Sequence, residues 1–207
     1  MDIEKALKSR RSINFFDQNH TISDEEINSI LELANYTPSS MNLQPWKIIV
    51  VKSFDIKNKL REACFNQSKV SEASCNFVVV ADPHALEENI DDVLKSWVDL
   101  GYITEETASN YKNMALGLYE TQDSLKRKIF AVKNSSFYAM SLMYAAMAIG
   151  YETHPMDGFD ENKVKTLLNL PEYVIIPVII ACGKFKKDAV LLPRAFRRNV
   201  EKFSKII

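Results

Sequence analysis

The most restrictive feature of this 207-residue chain is a long helical pattern whose second half has almost no polar face. The pattern runs over residues 124–149, and residues 137–149 are apolar nearly all round. A helix of this kind must be buried on every side. One domain of this length can enclose it, and a large homodimer interface can supply the same cover. Gly150 follows, in the usual position of a helix-ending glycine.

Three apolar runs predict the strands of a sheet: residues 47–51, 77–81 and 173–181. The first run is too apolar to have a solvated face, which predicts a position in the middle of a sheet covered on both sides. The third run contains Pro177, which removes a ladder donor and predicts either an edge strand or a bulge. Because no linker interrupts the chain, residues 1–207 are expected to form one domain.

The segments between these runs predict helices. Ser23 and Glu26 have the spacing of a capping box, with apolar residues following at helical intervals. Residues 86–120 predict two helices, with a break at Gly101 and a new N-cap at Thr104. The second of them is rich in aromatic and large flexible side chains. This composition favours simple core packing, and a mobile cover over a flat ligand is the alternative.

Charge and cysteine content exclude several classes of function. Lysine and arginine number 26 against 27 acidic residues, so no overall field attracts nucleic acid or an anionic membrane. The N-terminus lacks an apolar signal segment and no run is long enough to span a bilayer, which predicts a cytoplasmic protein. Cys64, Cys75 and Cys182 are widely spaced and lack histidines at ligand spacing, which indicates buried free thiols and no metal site.

A polar loop between two prolines, residues 36–46, has the features of a binding loop. Pro38 and Pro45 restrict the backbone, so the intervening segment loses less entropy when it is held rigid. Ser39, Ser40 and Asn42 offer short donors and acceptors from this frame. Ordinary turn chemistry favours the same residue types, so the loop alone does not decide between a turn and a site.

Local positive charge occurs near both ends of the chain. Arg10 and Arg11 follow the first helical pattern, where they would either complement the helix C-terminus or bind an anion. Residues 194–198 contain three arginines, a pattern that is usually a solvated face. In mid-chain, Asn66 and Lys69 lie in a polar stretch, and Lys69 alone would be read as a solvent lysine.

In order and in spacing, these elements resemble the FMN-dependent nitroreductase family over nearly the whole chain. The elements are Arg10-Arg-Ser12, Pro38-Ser-Ser-Met-Asn42, Gln44-Pro-Trp46, Phe65-Asn66 with Lys69, Pro155-Met-Asp-Gly158 and the C-terminal basic cluster. The resemblance implies an α+β fold, a three-layer sandwich in which helices wrap a central, mostly antiparallel mixed sheet. It also implies an intertwined homodimer, in which the Pro38 loop reaches the flavin bound mainly by the other subunit.

The resemblance further implies roles for individual residues. An FMN phosphate would meet Arg10, Ser12 and the tail arginines, with Arg194 and Arg197 favoured and Arg198 next. Lys69 would support negative charge at the N1 and C2 carbonyl end of the reduced flavin, and the Gly158 N–H would meet the flavin N5. The full set implied is Arg10, Arg11, Ser12, Asn14, Pro38, Ser39, Ser40, Asn42, Asn66, Lys69, Pro155, Met156, Asp157, Gly158, Arg194 and Arg197.

Two residues depart from the family pattern. Asp157 replaces the commoner glutamate, and Asn14 stands where related enzymes often carry a basic residue. Neither departure removes the expected activity, which is hydride transfer from NADH or NADPH through the flavin to a nitroaromatic or a quinone. Because no glycine-rich dinucleotide fingerprint is present, both substrates are expected to use one pocket in turn, with ping-pong kinetics. Free-flavin reduction, enone reduction and a non-enzymatic redox sensor are the alternatives on the same scaffold.

Overall fold

A central antiparallel sheet organises the fold of residues 2–207, the part of the chain that this computed structural model describes. The strands are β1 (Trp46–Val51), β2 (Cys75–Ala81), β3 (Glu152–Met156) and β4 (Ile175–Gly183), in the spatial order β1-β2-β4-β3. Each neighbouring pair is antiparallel. An isolated parallel bridge joins Ser12 to Thr153 of β3, and it supplies the mixed character that was expected of the sheet.

Helices and short 3-10 turns make up most of the remaining elements. They are α1 (Ile3–Ser9), α2 (Asp24–Ala34), α3 (Phe54–Ala63), α4 (Ser68–Glu72), α5 (Ala85–Asp99), α6 (Glu105–Tyr119), α7 (Leu125–Ala148) and α8 (Glu161–Leu168), with 3-10 turns at Ser40–Asn42 and Val200–Lys202. The predicted helix start and stop signals are present. Ser23 and Glu26 form a reciprocal capping box at the start of α2, and Thr104 caps α6. Gly150 follows the end of α7 with a φ of 85°.

Alternating side chains of β2 show why three layers form. Phe77 and Val79 pack with α2 and α7 on one face of the sheet. Val78 and Val80 pack with α3 and α8 on the other face. Because successive side chains of a strand point to opposite faces, one wholly apolar strand needs cover on both sides. The α+β three-layer prediction is therefore confirmed.

The position predicted for the first strand is wrong. Residues 47–51 were expected in the middle of the sheet, yet β1 is an edge strand, paired with β2 alone among the described residues. Ile48, Ile49 and Val50 are only partly buried in the single chain. A short apolar run cannot distinguish an internal strand from an edge strand that another chain segment covers.

Pro177 lies in β4, which is an internal strand. The sequence predicted either an edge strand or a bulge at Pro177, and the structure shows the bulge. The pairing of β2 with β4 shifts between Val79 and Ala81, whose partners are Val178 and Ile175. Two residues of β4, Ile176 and Pro177, therefore face one residue of β2. The bulge leaves Pro177 outside the regular ladder, which accommodates its missing donor.

The turn predicted at residues 154–159 begins later than expected, because residues 152–156 form β3. Pro155 is tolerated there because β3 is an edge strand. Pro155 lies opposite Ile180 of β4. The turn itself is confined to residues 157–159, where the Phe159 N–H donates to the Asp157 carbonyl. This arrangement places Gly158 directly after the end of an edge strand.

In the single chain, α7 is not buried on every side as its composition predicted. Tyr138, Leu142 and Ala146 pack against the sheet and α2. Phe137 and Met140 on the opposite side are 50% and 36% exposed. The sheet and α2 thus cover one side of the helix and leave an apolar stripe uncovered.

Other parts of the chain match their predictions more simply. Cys64, Cys75 and Cys182 are buried and free, with Cys75 opposite Cys182 in the β2–β4 pair. No helix among residues 2–207 has the length and apolar character needed to cross a bilayer.

Candidate functional site

The two basic clusters seen in the sequence meet at the C-terminal end of α1. The Arg194 guanidinium donates to the backbone carbonyls of Lys8 and Arg10, and Arg11 donates to the carbonyl of Leu192 at 2.7 Å. These bonds fold the tail back onto the start of the chain. The resulting concavity of about 180 Å³ is lined by Arg10, Arg11, Ser12, Arg194, Ala195 and Arg197.

Arg10 has an unmet hydrogen-bonding group in this cluster. Its Nη1 atom is buried and has no partner among the described residues. A buried donor that carries positive charge and lacks an acceptor is costly, so such groups are normally paired. Arg197 donates to the neighbouring carbonyls of Ala195 and Phe196, within its own stretch of the tail. The concavity therefore has the donors and the charge of an anion site.

A second group of candidate residues lies where α3 ends and α4 begins. Phe65 and Asn66 both have positive φ angles, 53° and 59°, an unusual conformation for residues other than glycine. Lys69, in the first turn of α4, is half-buried, and burial lowers the pKa of its ammonium group. Its Nζ donates to Gln67 Oε1 at 2.9 Å, so Lys69 is not the free solvent lysine that its sequence context alone suggests.

Gly158 lies against this second group. Its carbonyl accepts a hydrogen bond of 2.7 Å from Gln67 Nε2, while its own N–H donates to no group within residues 2–207. A Cβ at this position would lie 3.3 Å from Gln67 Nε2, closer than ordinary packing allows. Glycine therefore permits the close approach of Gln67, and it leaves an exposed N–H at the turn.

His154 connects the two groups and was missed in the sequence, where the three histidines appeared scattered. Its Nδ1 lies 3.0 Å from the carbonyl of Ile13, an arrangement in which Nδ1 carries the proton and donates. Burial first, and then the charges of Lys69 and Arg10, lowers the pKa of His154 to about 4. The cations of the two groups therefore act on one neutral imidazole. Its position directly before Pro155 is the one sequence signal that could have identified it.

The Pro38 loop lies elsewhere in the single chain. The Ser40 N–H donates to Asn134 Oδ1 of α7 at 3.0 Å, and Ser39 Oγ accepts from the Gln44 N–H at 3.0 Å. Asn42 is exposed and has a φ of 54°. No hydrogen bond within the described residues ties this loop to Arg10, to Lys69 or to the Gly158 turn. The loop and the Arg10 and Lys69 groups therefore belong to separate hydrogen-bond networks in the described chain.

Of three further expected residues, two are exposed and one is buried. Asn14 is exposed and makes no side-chain hydrogen bond in the described part of the chain, and Asp157 is likewise exposed. The Met156 side chain is 3% exposed and packs in the core between the sheet and α3 and α8. Any contact of Met156 with a ligand would therefore be made by its backbone.

Comparison with known proteins identifies the family of this chain. The model of the nitroreductase family matches residues 7–184. MhqN of Bacillus subtilis, which is named as an NAD(P)H nitroreductase, is 31% identical over 197 residues, covering 95% of each chain. The CLA biosynthesis enone reductase of Lactiplantibacillus plantarum is 31% identical over 190 residues, covering 90% of this chain and 87% of its own.

Solved structures give the same result for the fold. YdfN of Bacillus subtilis, named as a nitroreductase, superposes with a TM-score of 0.93 at 30% identity, covering 99% of this chain and 98% of that chain. A protein named as a nitroreductase from Exiguobacterium sibiricum, solved in complex with FMN, superposes with a TM-score of 0.89 at 27% identity, covering 100% and 98%. The expected family is confirmed: this chain belongs to the nitroreductase family.

Proposed function

We propose that the protein binds FMN and transfers hydride from NADH or NADPH to a small electron-poor acceptor such as a nitroaromatic or a quinone. The observation that carries this proposal is the buried, unpartnered Nη1 of Arg10 in a concavity lined by further arginines. An FMN phosphate has close to two negative charges and several acceptor oxygens. It would give Arg10 the partner that the chain itself does not supply.

The other end of the candidate site suits a flavin ring. Lys69 would provide positive charge near the pyrimidine end, with Asn66 on its polar edge, and the free Gly158 N–H would face N5. When bound, FMN would supply the redox chemistry, taking hydride from the nicotinamide and passing it on to the acceptor. The chain would contribute charge and orientation, since donors fixed before reaction stabilise developing negative charge at little reorganisation cost.

The neutral His154 fits this assignment. Arg10 and Lys69 are close enough for their charges to act on it, and its low pKa keeps a third positive charge out of the site at neutral pH. The attraction for an anionic ligand thus rests on arginine and lysine side chains and not on this histidine. His154 Nδ1 is held by Ile13, so the imidazole keeps a fixed orientation.

We also propose that each site is completed by a second copy of the chain. The Pro38 loop has no hydrogen bond to the Arg10 or Lys69 groups in the described structure, which is the arrangement expected if it serves the partner. Apolar side chains suited to a large interface remain exposed on α7 and the tail, namely Ile129, Phe137, Met140, Phe196 and Phe203. Covering such surface is the usual driving force for an obligate dimer.

The catalytic cycle would use one pocket for both substrates, because no separate dinucleotide fingerprint is present in the sequence. The nicotinamide product would leave before the acceptor enters. Initial rates measured at several fixed acceptor concentrations should therefore give parallel double-reciprocal lines. Intersecting lines would reveal a ternary complex and exclude this order.

Enone reduction is the second candidate function. It is favoured by the 31% identity to a relative named as an enone reductase. The two candidates share the cofactor and differ in the acceptor, so they are separated by turnover of NAD(P)H with a nitroaromatic, a quinone and an α,β-unsaturated ketone in parallel. A redox sensor would oxidise NAD(P)H once and would not turn over with any of them.

The assignment of Arg10 is tested by flavin occupancy. Arg10→Ala should purify with much less FMN than the wild type while keeping its helical content, because it removes the buried cation. Lys187→Ala is the matched control, since it makes the same charge change at an exposed residue outside the concavity. Full occupancy in Arg10→Ala, or an equal loss in both variants, would remove Arg10 from the site.

A further inference from the structure

We infer that Gln67 is a positioning residue that fixes Lys69 and the Gly158 turn to each other, so that both act on the proposed flavin as one unit. The inference rests on the proposed function and deepens it. Gln67 belongs to neither of the motifs on which the family resemblance was based, Phe65-Asn66 with Lys69 and Pro155 to Gly158. Its role appears only in the three-dimensional arrangement.

Gln67 uses both ends of its side-chain amide. Nε2 donates to the carbonyl of Gly158 at 2.7 Å and to the carbonyl of Cys64 at 3.1 Å. Oε1 accepts from Lys69 Nζ at 2.9 Å. The orientation of the amide is fixed by this network, because carbonyls only accept and an ammonium group only donates. One side chain therefore joins the end of α3, the start of α4 and the turn after β3.

Lys69 depends on this contact. Its ammonium group is half-buried, and burial without a polar partner disfavours the charged form. Gln67 Oε1 is the acceptor that the described chain offers to Nζ. Without it, the long flexible side chain would regain rotamer freedom and turn towards solvent, where its charge would be screened.

Gly158 depends on the same amide. The bond to its carbonyl orients the peptide after Gly158, and Gln67 Nε2 would lie only 3.3 Å from a Cβ at this position. A side chain at position 158 would require the Gln67 amide to shift by a few tenths of an ångström. The missing side chain at position 158 thus makes room for the amide at position 67.

An amide is the group that this arrangement requires. A glutamate at position 67 would pair with Lys69 and neutralise its charge, and it could not donate to the two carbonyls. A methionine would keep the approximate size of the side chain and lose all three bonds. Both changes should therefore reduce the support that Lys69 gives to the anionic, reduced flavin.

The test is the flavin midpoint potential of the holoprotein, with FMN restored by reconstitution where a variant has lost it. Lys69→Ala should lower the potential, because a cation that favours the reduced form is removed. Gln67→Met should shift it in the same direction, and Gln67→Glu further than Gln67→Met. Gln18→Met is the matched control, since Gln18 is exposed and lies outside this network, and its potential should equal that of the wild type.

A double variant distinguishes positioning from an independent effect. If Gln67 acts through Lys69 and the Gly158 turn, the shift in Lys69→Ala/Gln67→Met should be smaller than the sum of the two single shifts. Additive shifts, or a wild-type potential in both Gln67 variants, would overturn the inference. If the wild type itself binds no FMN, the proposed function and this inference fail together. If the protein binds FMN but the Gln67 variants keep the wild-type midpoint potential, the inference about Gln67 fails and the proposed function stands.

Discussion

At the scale of single residues, the candidate site is made by side chains whose partners are distant in sequence. His154 faces the Ile13 carbonyl, 141 positions earlier, and Gln67 faces the Gly158 carbonyl, 91 positions later. A partly buried imidazole that is held neutral near two cations also gives the protein a measurable dependence on pH.

His154 should make the apoprotein less stable as the pH falls from about 6.5 to about 4. Its pKa drops from the ordinary value of 6.5 to about 4 on folding, so in this window the unfolded chain binds a proton that the folded chain does not. Stability therefore decreases as the pH falls, by about 2 kcal/mol after allowance for partial exposure. Below a pH of about 4 this contribution changes no further.

Urea unfolding of apoprotein at several pH values measures the effect. His154→Gln removes the titrating group and can still donate to the Ile13 carbonyl. The difference in stability between wild type and variant therefore separates the effect of His154 from that of carboxylates that titrate in the same pH range. Parallel stability curves for the two proteins over this pH range would show that His154 is not held neutral by folding.

Residues that carry their chemistry in their own identity could be predicted from the sequence, and residues defined by their surroundings could not. Arg10 and Arg194 were expected together because the family resemblance assigns both to a phosphate, a role that suits guanidinium groups, and the structure brings them to one concavity. Gln67 and His154 have no comparable signal. Their importance comes from backbone carbonyls supplied by other segments, and the sequence contains no local trace of those contacts.

At the scale of elements, α5, α6 and α7 are held together by one buried arginine. Arg127 near the start of α7 is fully buried and pairs with Glu87 of α5 at 2.6 Å. It also donates to the carbonyls of Tyr119 and Glu120, where α6 ends, and to that of Pro83. The unusual backbone at Glu120, with a φ of 59°, is thus fixed by an arginine rather than by a glycine.

Arg127→Ala should lower the free energy of unfolding by about 2–4 kcal/mol, because it leaves three carbonyls without their donor and opens a cavity at a buried position, whereas the exposed Glu87 regains water. Lys126→Ala is the control on the same turn. Its exposed ion pair with Glu120, at 3.6 Å, should be worth less than about 1 kcal/mol. Chemical denaturation of both variants gives the comparison, and equal losses would mean that the buried network does not stabilise the α5–α6–α7 unit.

The predicted positions of helices and strands agree with the structure where a local sequence signal decides them. Caps at Ser23 and Thr104 begin helices as predicted, since a cap depends on residues three positions apart. The place of β1 at the sheet edge and the strand character of residues 152–156 did not follow. Both depend on which strand pairs with which, and the paired residues lie more than 20 positions apart in the sequence.

At the scale of the whole molecule, the proposed site is divided between two parts of each chain. The arginine concavity and the Lys69–Gly158 group, whose cations both act on His154, make up one part, and the Pro38 loop on α7 makes up the other. The uncovered apolar stripe on α7 lies on the same helix that holds this loop. The proposal that two chains share each site requires a second copy that covers this stripe and extends its loop to the first chain's concavity.

Mixed dimers test this division. One chain carries changes at Ser40 and Asn42 and the other at Arg10 and Arg194, and each should bind FMN poorly as a homodimer. In the mixed dimer both defects fall in one site and the other is intact, so about one FMN per dimer should be recovered. Isolation with two different affinity tags and flavin titration decides the matter. No recovery above the two parents would mean that the loop serves its own chain.

The central claim is that the protein is an FMN-dependent oxidoreductase, and the visible spectrum of the purified protein tests it most directly. Flavin absorption bands should be present, should bleach on anaerobic addition of NADH or NADPH, and should return when a quinone or nitroaromatic is added, over many cycles. A colourless protein that acquires no flavin bands with added FMN, or bands that neither nicotinamide bleaches, would contradict the account.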